Sequence, residues 1–425
     1  MNKKILSLFV LLVIVLGATK AFASLTFSSA AITGDAASTI DVGAGNALSL
    51  QTTNNGAITT GTGMVTLGSS LTIPTTTSST TGVIFKGANR FIHNFALAGT
   101  DGQNTFVGIN AGNFTMTGST GSQGSYNTAV GDSALSSNTT GLENTALGSF
   151  ALNANTTGTS NIAIGDYTLS ANTTGSFNIG IGSYSFLLNT TGIDNTAIGH
   201  NVLATNTTGS DNTIVGFEGL VYNTTGSKNT VIGGNALYFS DVATSNTAVG
   251  YNAGSGNVTH FSNQGGVYLG YQSGYKALTG SDYNTLIGYQ SGYGVTSGAR
   301  NVVVGNSTIS ASQNQITTGS NNISIGNDVA VASATASNQL DIGNLIYGTA
   351  LDGTGATIST GNIGIGTKAP QAKLDINSNS FILETAQTPA TAASACITGS
   401  IAWDSGYVYV CVATNTWKRS AITTW

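Results

Sequence analysis

Charge is what this chain of 425 residues most lacks: Asp, Glu, Lys and Arg together make up 7% of it. Twelve Lys plus Arg, with Lys3 and Lys4 in a leader-like start, cannot build the basic face that phosphate neutralisation requires. Nucleic acid is therefore not an expected partner. The net charge of -5 comes without any acidic or basic run, so no polyelectrolyte partner is implied either. Histidine occurs only at His93, His200 and His260, and the two cysteines, Cys396 and Cys411, have no histidine near them in sequence. No metal-site or nucleophile pattern results. The carboxylates Asp132, Glu143, Asp166, Asp194 and Asp211 are scattered over variable positions, whereas glycan-cleaving β-helices gather acids on one face. The Gly-Gly-x-Gly-x-Asp calcium-roll signature does not recur, and Gly364-Ile-Gly366 lacks the helix and acidic partner of a nucleotide loop. The expectation is a protein that is not an enzyme and uses no cofactor or metal.

Helical periodicity is nearly absent, and long apolar runs are missing with one exception. Ile5 to Leu16 follows Lys3 and Lys4 and precedes Ala21-Phe22-Ala23. That order reads as a secretory signal over residues 1–23, and the run is short for a membrane span. The expected location is secreted, extracellular or at the cell surface, outer-membrane association included.

Glycine is abundant instead, with 57 residues against three prolines, and it falls on a beat. Gly131, Gly148, Gly165, Gly182, Gly199, Gly216, Gly233 and Gly250 lie 17 residues apart, each closing a run such as Asn127-Thr-Ala-Val-Gly131. A fixed period of this length means one supersecondary unit per repeat, stacked on copies of itself. Regular apolar positions also separate the chain from a disordered one of similar composition. Before each glycine stands a large aliphatic (Val130, Leu147, Ile164, Ile181, Ile198), and two residues earlier a Thr or Ile. Positions two apart share a face of a strand, and β-branched types suit a pleated surface. Each run is thus a short strand of a parallel sheet, with the aliphatic column expected inside. The residue between (Ala129, Ala146, Ala163, Ala197) points the other way and is also apolar. Strands apolar on both sides are usually covered on both sides. That second face is expected to pack on further copies of the chain.

Four residues after the glycine comes a second inward column, Leu135, Leu152, Leu169, Phe186, Leu203, Leu220 and Leu237, and then a corner, Asn138-Thr-Thr-Gly141, repeated through Asn223. Asn and Gly tolerate the left-handed backbone of a tight corner. The corner accounts for the Asn-Thr-Thr triplets without invoking glycosylation. Stacked Asn at the strand starts, from Asn127 to Asn322, can form an amide ladder. Thr139, Thr156, Thr173, Thr190, Thr207 and Thr224 should form a column on the outside, which makes an ice-binding solenoid a rival reading. The beat loosens after Gly250, and insertions there should emerge as loops on one side.

These features divide the chain into a signal peptide (1–23), a Thr/Gly-rich β region (24–100), the roll (101–345), a junction (346–378) and a C-terminal β cap (379–425). The cap holds both cysteines and all three tryptophans. In an oxidising compartment Cys396 and Cys411 form either a disulfide or a pair of buried thiols.

The Asn-Thr-Ala-Ile-Gly and Asn-Thr-Thr-Gly repeats resemble the YadA-like heads of trimeric autotransporter adhesins, and they are similar to repeats of phage tail-fibre-like proteins. The resemblance covers roughly 101–345. It implies a left-handed parallel β-roll, three chains around one axis and a role in attachment at a bacterial surface. Two departures stand beside it: the repeat is longer than in the best-known heads, and the last fifty residues show neither heptads nor membrane-barrel strands. The fold expected is all-β, a parallel β-roll or solenoid of 17-residue repeats, trimeric, with a small C-terminal β cap. The function expected is an exported, non-enzymatic fibrous surface protein that adheres through a homotrimeric head to a host, matrix or cell-surface ligand. The alternative is a structural, tail-fibre-like component without a specific receptor. Tyr268, Tyr271, Tyr275, Tyr283, Tyr289 and Tyr293, near the insertions, are the candidate ligand contacts, unless they only thicken the core.

Overall fold

Backbone geometry follows the beat. In a computed structural model of the chain, Thr76 and residues 82–117, 121–257, 260–308, 315–378 and 381–423 are described. The expected signal peptide and most of the region 24–100 lie outside the described residues. Among the described residues there is no helix. Three-residue strands pair in parallel and in register, one coil to the next, from Thr105–Val107 through Thr128–Val130 and Thr145–Leu147 onward to Leu340–Ile342. The fold is a parallel β-solenoid. Short antiparallel strands close the ladder at both ends. Asn89–His93 pairs with Thr105–Val107 and with Ile84–Lys86 on its other side, and Ile346–Gly348 folds back on Leu340–Ile342. The nineteen-stranded sheet ends with Ile363–Ile365 and Leu374–Ile376.

The closing glycine is dictated by how tightly the coils stack. Gly131 has φ +144°, and a Cβ there would sit 2.2 Å from the carbonyl oxygen of Gly148; the same clash recurs up the column. No side chain fits. Three other corners per coil use the left-handed region without glycine, including the inward leucines, among them Leu135 (φ 54°), Leu152 (φ 49°) and Leu169 (φ 52°). That conformation costs roughly 1 kcal/mol or more for a bulky residue. Full burial of the same leucines offsets the strain.

The interior is where the structure corrects the sequence reading. The small middle residues Ala129, Ala146, Ala163 and Ala197 are fully buried, together with the leucine column. The aliphatics before the glycine, expected inside, face outward: Leu147 is 46% exposed, Ile232 45% and Leu269 43%. The reason is the width of the coil. Even Gly180, at a middle position, has room for nothing more, since a Cβ there would lie 2.7 Å from Thr168 Cγ2. The lumen of a 17-residue coil is narrow, so most coils pair a small middle residue with the leucine. At three coils a large middle residue meets a glycine at the leucine position: Phe106 faces Gly112, Tyr268 faces Gly274, and Leu286 faces Gly292; Ile214 and Val231 are instead buried together with Leu220 and Leu237, and Ile214 lies against Gly219. Core volume is conserved by exchanging sizes across the lumen.

Two amide ladders run through the interior. At the strand starts, Asn144 donates its backbone N–H and its Nδ2 to Asn127 Oδ1 (3.0 and 3.1 Å), and each later Asn up to Asn246 repeats the step. At the corners, Asn155 Nδ2 donates to Asn138 Oδ1 at 3.0 Å and to the Gly158 carbonyl. Each such bond contributes on the order of 1 kcal/mol, and loss of one partner leaves a buried amide unsatisfied. At the last parallel strand the middle residue is Asp341, fully buried, its Oδ1 accepting the Asn344 N–H; burial pushes its carboxyl above the usual range.

A separate antiparallel sheet of Ile401–Trp403, Tyr407–Ala413 and Thr416–Ala421 forms the C-terminal part. Ala402, Tyr409, Cys411 and Trp417 make its small core. Cys396 and Cys411 are joined, with S–S 2.04 Å and Cα–Cα 6.2 Å. Asp404 holds the hairpin by accepting Tyr409 O–H, the Gly406 and Tyr407 N–H groups and Thr388 O–H, which draws its carboxyl down to about 2.

Candidate functional site

Three surfaces of the roll are candidates for contacts beyond the coil itself. The first is the outer face of the parallel sheet. Because each strand repeats in register, the outward aliphatics align from coil to coil into one stripe. Beside it, rings one or two residues after the glycine stack from coil to coil. Phe150 lies 4.8 Å from Tyr167 and Tyr167 5.7 Å from Tyr184; His200, edge-on to Tyr184, stacks 5.5 Å from Phe217; and beyond Gly234, Tyr251, Tyr271 and Tyr289 form a further stack. His200 is a member of this ladder. Stripe and ladder together form a long, exposed apolar band.

The six tyrosines singled out from the sequence do not form one site. Tyr268 is fully buried in the lumen, its hydroxyl accepting Asn263 Nδ2 at 3.0 Å, and burial pushes it up to about 12. No ligand reaches it there, so its place as a surface contact is corrected: it fills the core opposite glycines. Tyr271 and Tyr289 belong to the exposed ladder. Tyr275 and Tyr293 stack at 5.3 Å on the return half of the coil, with Lys276 Nζ over the Tyr293 ring. Tyr283 stands exposed under the Arg300 guanidinium.

The threonine column, the second surface, lies at the corners, with its hydroxyls already engaged. Thr139 Oγ1 donates to the Thr156 carbonyl at 2.9 Å, Thr156 to Thr173 at 3.0 Å, and the pattern repeats through Thr224. Their protons are spent on the coil above and not on water.

The third surface is an aromatic cluster that sequence reasoning missed. At Ser240-Asp241-Val242-Ala243 the Asn-Thr-Thr-Gly corner is absent, and that loss was the available signal. Ser240–Thr244 becomes a strand and pairs in parallel with Phe261–Gln264, making a second two-stranded sheet. Around it gather Tyr222, stacked 5.9 Å from Phe239, and Tyr238, edge-on to both at 5.3 and 4.7 Å. His260 sits edge-on to Tyr222 at 4.5 Å and is hydrogen-bonded through Nδ1 to Asp241 Oδ1. Burial, a hydrogen bond with Tyr222 and the nearby Glu218 raise Tyr238 to about 12.

The described residues hold no group of three or more His, Cys, Asp and Glu side chains placed for a metal ion. A cavity of about 20 Å³ between Val303, Ser324 and Val331 has room for a water molecule only. No helix among the described residues is long and apolar enough to cross a membrane.

No protein-family model and no solved structure matches the chain. Over 44 residues it is 54% identical to depolymerase 1, capsule K30/K69-specific, of Klebsiella phage K5-2. The match spans 10% of this chain and 6% of that protein. The likeness concerns a short segment of a phage protein and supports the tail-fibre-like side of the repeats.

Proposed function

We propose that the chain is a structural fibre segment of the tail-fibre type, acting extracellularly or on a virion, whose rolls associate side by side through the outer face of the sheet. The carrying observation is the aliphatic stripe: the residues before the glycines stand outward along the roll, some partly buried like Ile164 and Ile181 and some nearly half exposed like Leu147, Ile232 and Leu269. Soluble monomers rarely expose a contiguous apolar band of this extent. With two outward apolar or Thr positions per strand, the band offers on the order of 1,000 Å² per chain, in the range of a stable interface. The resemblance of the repeats implies three copies about one axis, an arrangement in which every stripe is covered. Phage origin of the partial relative favours a virion fibre over an adhesin head. Catalysis of the kind that relative is named for is not part of the proposal, because the shared segment is a small fraction of it.

Light scattering of the purified chain, beside an Ile232→Asp variant, tests this. Three chains per particle are expected for the wild type and a smaller, still folded particle for the variant. A wild type that stays folded and single at every concentration would falsify the reading.

A further inference from the structure

The roll repeats one chemistry with little variation, and the place where it stops repeating is the most informative about specificity. At the positions of Tyr238 and Phe239, earlier coils carry Ser136 and Ser137, or Asn153 and Ala154, without harm to the fold. The fold therefore does not require the rings of Tyr222, Tyr238 and Phe239 or the His260–Asp241 pair. Packing against one another holds those rings in place, and the pair remains open to solvent, with 51% of the His260 side chain and 40% of the Asp241 side chain exposed. None of the five residues lies on the stripe or the ring ladder of the sheet.

We propose that this cluster binds uncharged sugar units of a surface glycan. A sugar ring has an apolar face of C–H groups and a rim of hydroxyls, and it is held where aromatic rings stand beside fixed polar groups. Tyr222, Tyr238 and Phe239 supply the rings. The Asp241 carboxylate accepts from sugar hydroxyls, and its hydrogen bond to His260 fixes its orientation before a ligand arrives. Negative charge from Asp241 and the nearby Glu218, with no Lys or Arg in the cluster, selects against acidic sugars. Repetition of the site on each chain of a fibre would turn weak single contacts into firm attachment. The site itself lies within one chain and does not depend on the fibre reading.

The test is an array of neutral oligosaccharides (gluco-, galacto- and manno-configured) beside sialylated and uronic-acid glycans, probed with the full chain. Wild type should be retained on neutral glycans. Tyr222→Ala should weaken retention by about tenfold or more, equivalent to about 1.4 kcal/mol. Asp241→Asn, a milder change at a half-exposed position, should weaken it several-fold with an unchanged melting temperature, which keeps the test decisive if Tyr222→Ala fails to fold. Retention on no neutral glycan, retention on acidic glycans alone, or retention that Asp241→Asn leaves intact in a folded protein would each overturn the proposal. Particle mass measured on the same samples reports the fibre reading separately.

Discussion

Two stretches of one roll solve the same packing problem in opposite ways. Between Thr128 and Val249 most coils put a small residue in the middle of the strand and a leucine on the return half. Around Val267–Leu269 and Thr285–Ile287 the sizes are exchanged, and Tyr268 or Leu286 meets a glycine across the lumen. Phe106 with Gly112 at the first coil belongs to the second kind. Gly180 and Phe186 exchange sizes within the regular stretch as well. The lesson is that the roll trades core volume among neighbouring positions and adjacent coils, as where Gly219 makes room for Ile214 and Tyr268 packs over Gly254, rather than fixing a residue type per column.

The most severe way to break that comparison is Tyr268→Ala. It empties the lumen at a coil with no leucine to fill it and removes the acceptor of Asn263 Nδ2. A loss of about 3–5 kcal/mol is expected in chemical denaturation. Gly274→Leu alone should also destabilise, by about 1–3 kcal/mol, because its Cβ would meet the Tyr268 ring at 2.5 Å. The double change rebuilds the regular pattern and should recover at least about 1 kcal/mol of the summed losses. Additive losses would mean that the two positions do not share one volume.

The capping coil sharpens the comparison through pH. His93 packs 4.9 Å from the Phe106 ring, donates Nε2–H to the Ala111 carbonyl at 2.7 Å and accepts the Phe95 N–H at Nδ1. Burial pulls it down to about 4 from an ordinary 6.5, with the Ala111 bond opposing that shift. Above pH 6.5 the ring is neutral whether the chain is folded or not, and stability is full. As pH falls from 6.5 toward 4 the unfolded chain takes the proton first, so stability declines by on the order of 3 kcal/mol. Melting scans across that window should show the decline, and His93→Gln should flatten this part of it. An unchanged profile in the variant would remove the cap from the account.

Backbone strain gives the smallest effect. Lys228 (φ 63°) and Leu169 (φ 52°) share the left-handed conformation, one exposed and one buried. Lys228→Gly should raise stability by up to about 1 kcal/mol by relieving strain alone, whereas Leu169→Gly should lower it by several because burial is lost. A melting temperature that falls for both would show that the corners are not strained.

Strand positions, the parallel register and the obligatory glycine were legible in the sequence, since a 17-residue repeat fixes which residues must stack. Which face lies inside was not. Val130, Ala129 and Thr128 alternate as apolar, small and polar-branched, and a period of two identifies two faces without saying which is covered. The answer depends on the width of the closed coil, visible only where Gly180 meets Thr168 or Tyr268 meets Gly274. Those pairings lie close in sequence, so opposite size changes between neighbouring columns were a usable clue. The same limit applies to the ligand surface. Tyrosine enrichment pointed to residues 268–293, but Tyr268 was needed for volume, whereas the cluster at Tyr222 and His260 is announced only by the loss of an Asn-Thr-Thr-Gly corner.

Neighbouring residues of one strand provide the most direct trial of the inside-out assignment. Thiol labelling of Ala163→Cys and Ile164→Cys variants, in the assembled chain and after mild dissociation, reads the two faces separately, since the native cysteines are already bridged. The thiol introduced at 163 should stay unreactive in both states, and the one at 164 should react only once copies separate. Rapid labelling at 163 with protection at 164 in a folded single chain would contradict the account.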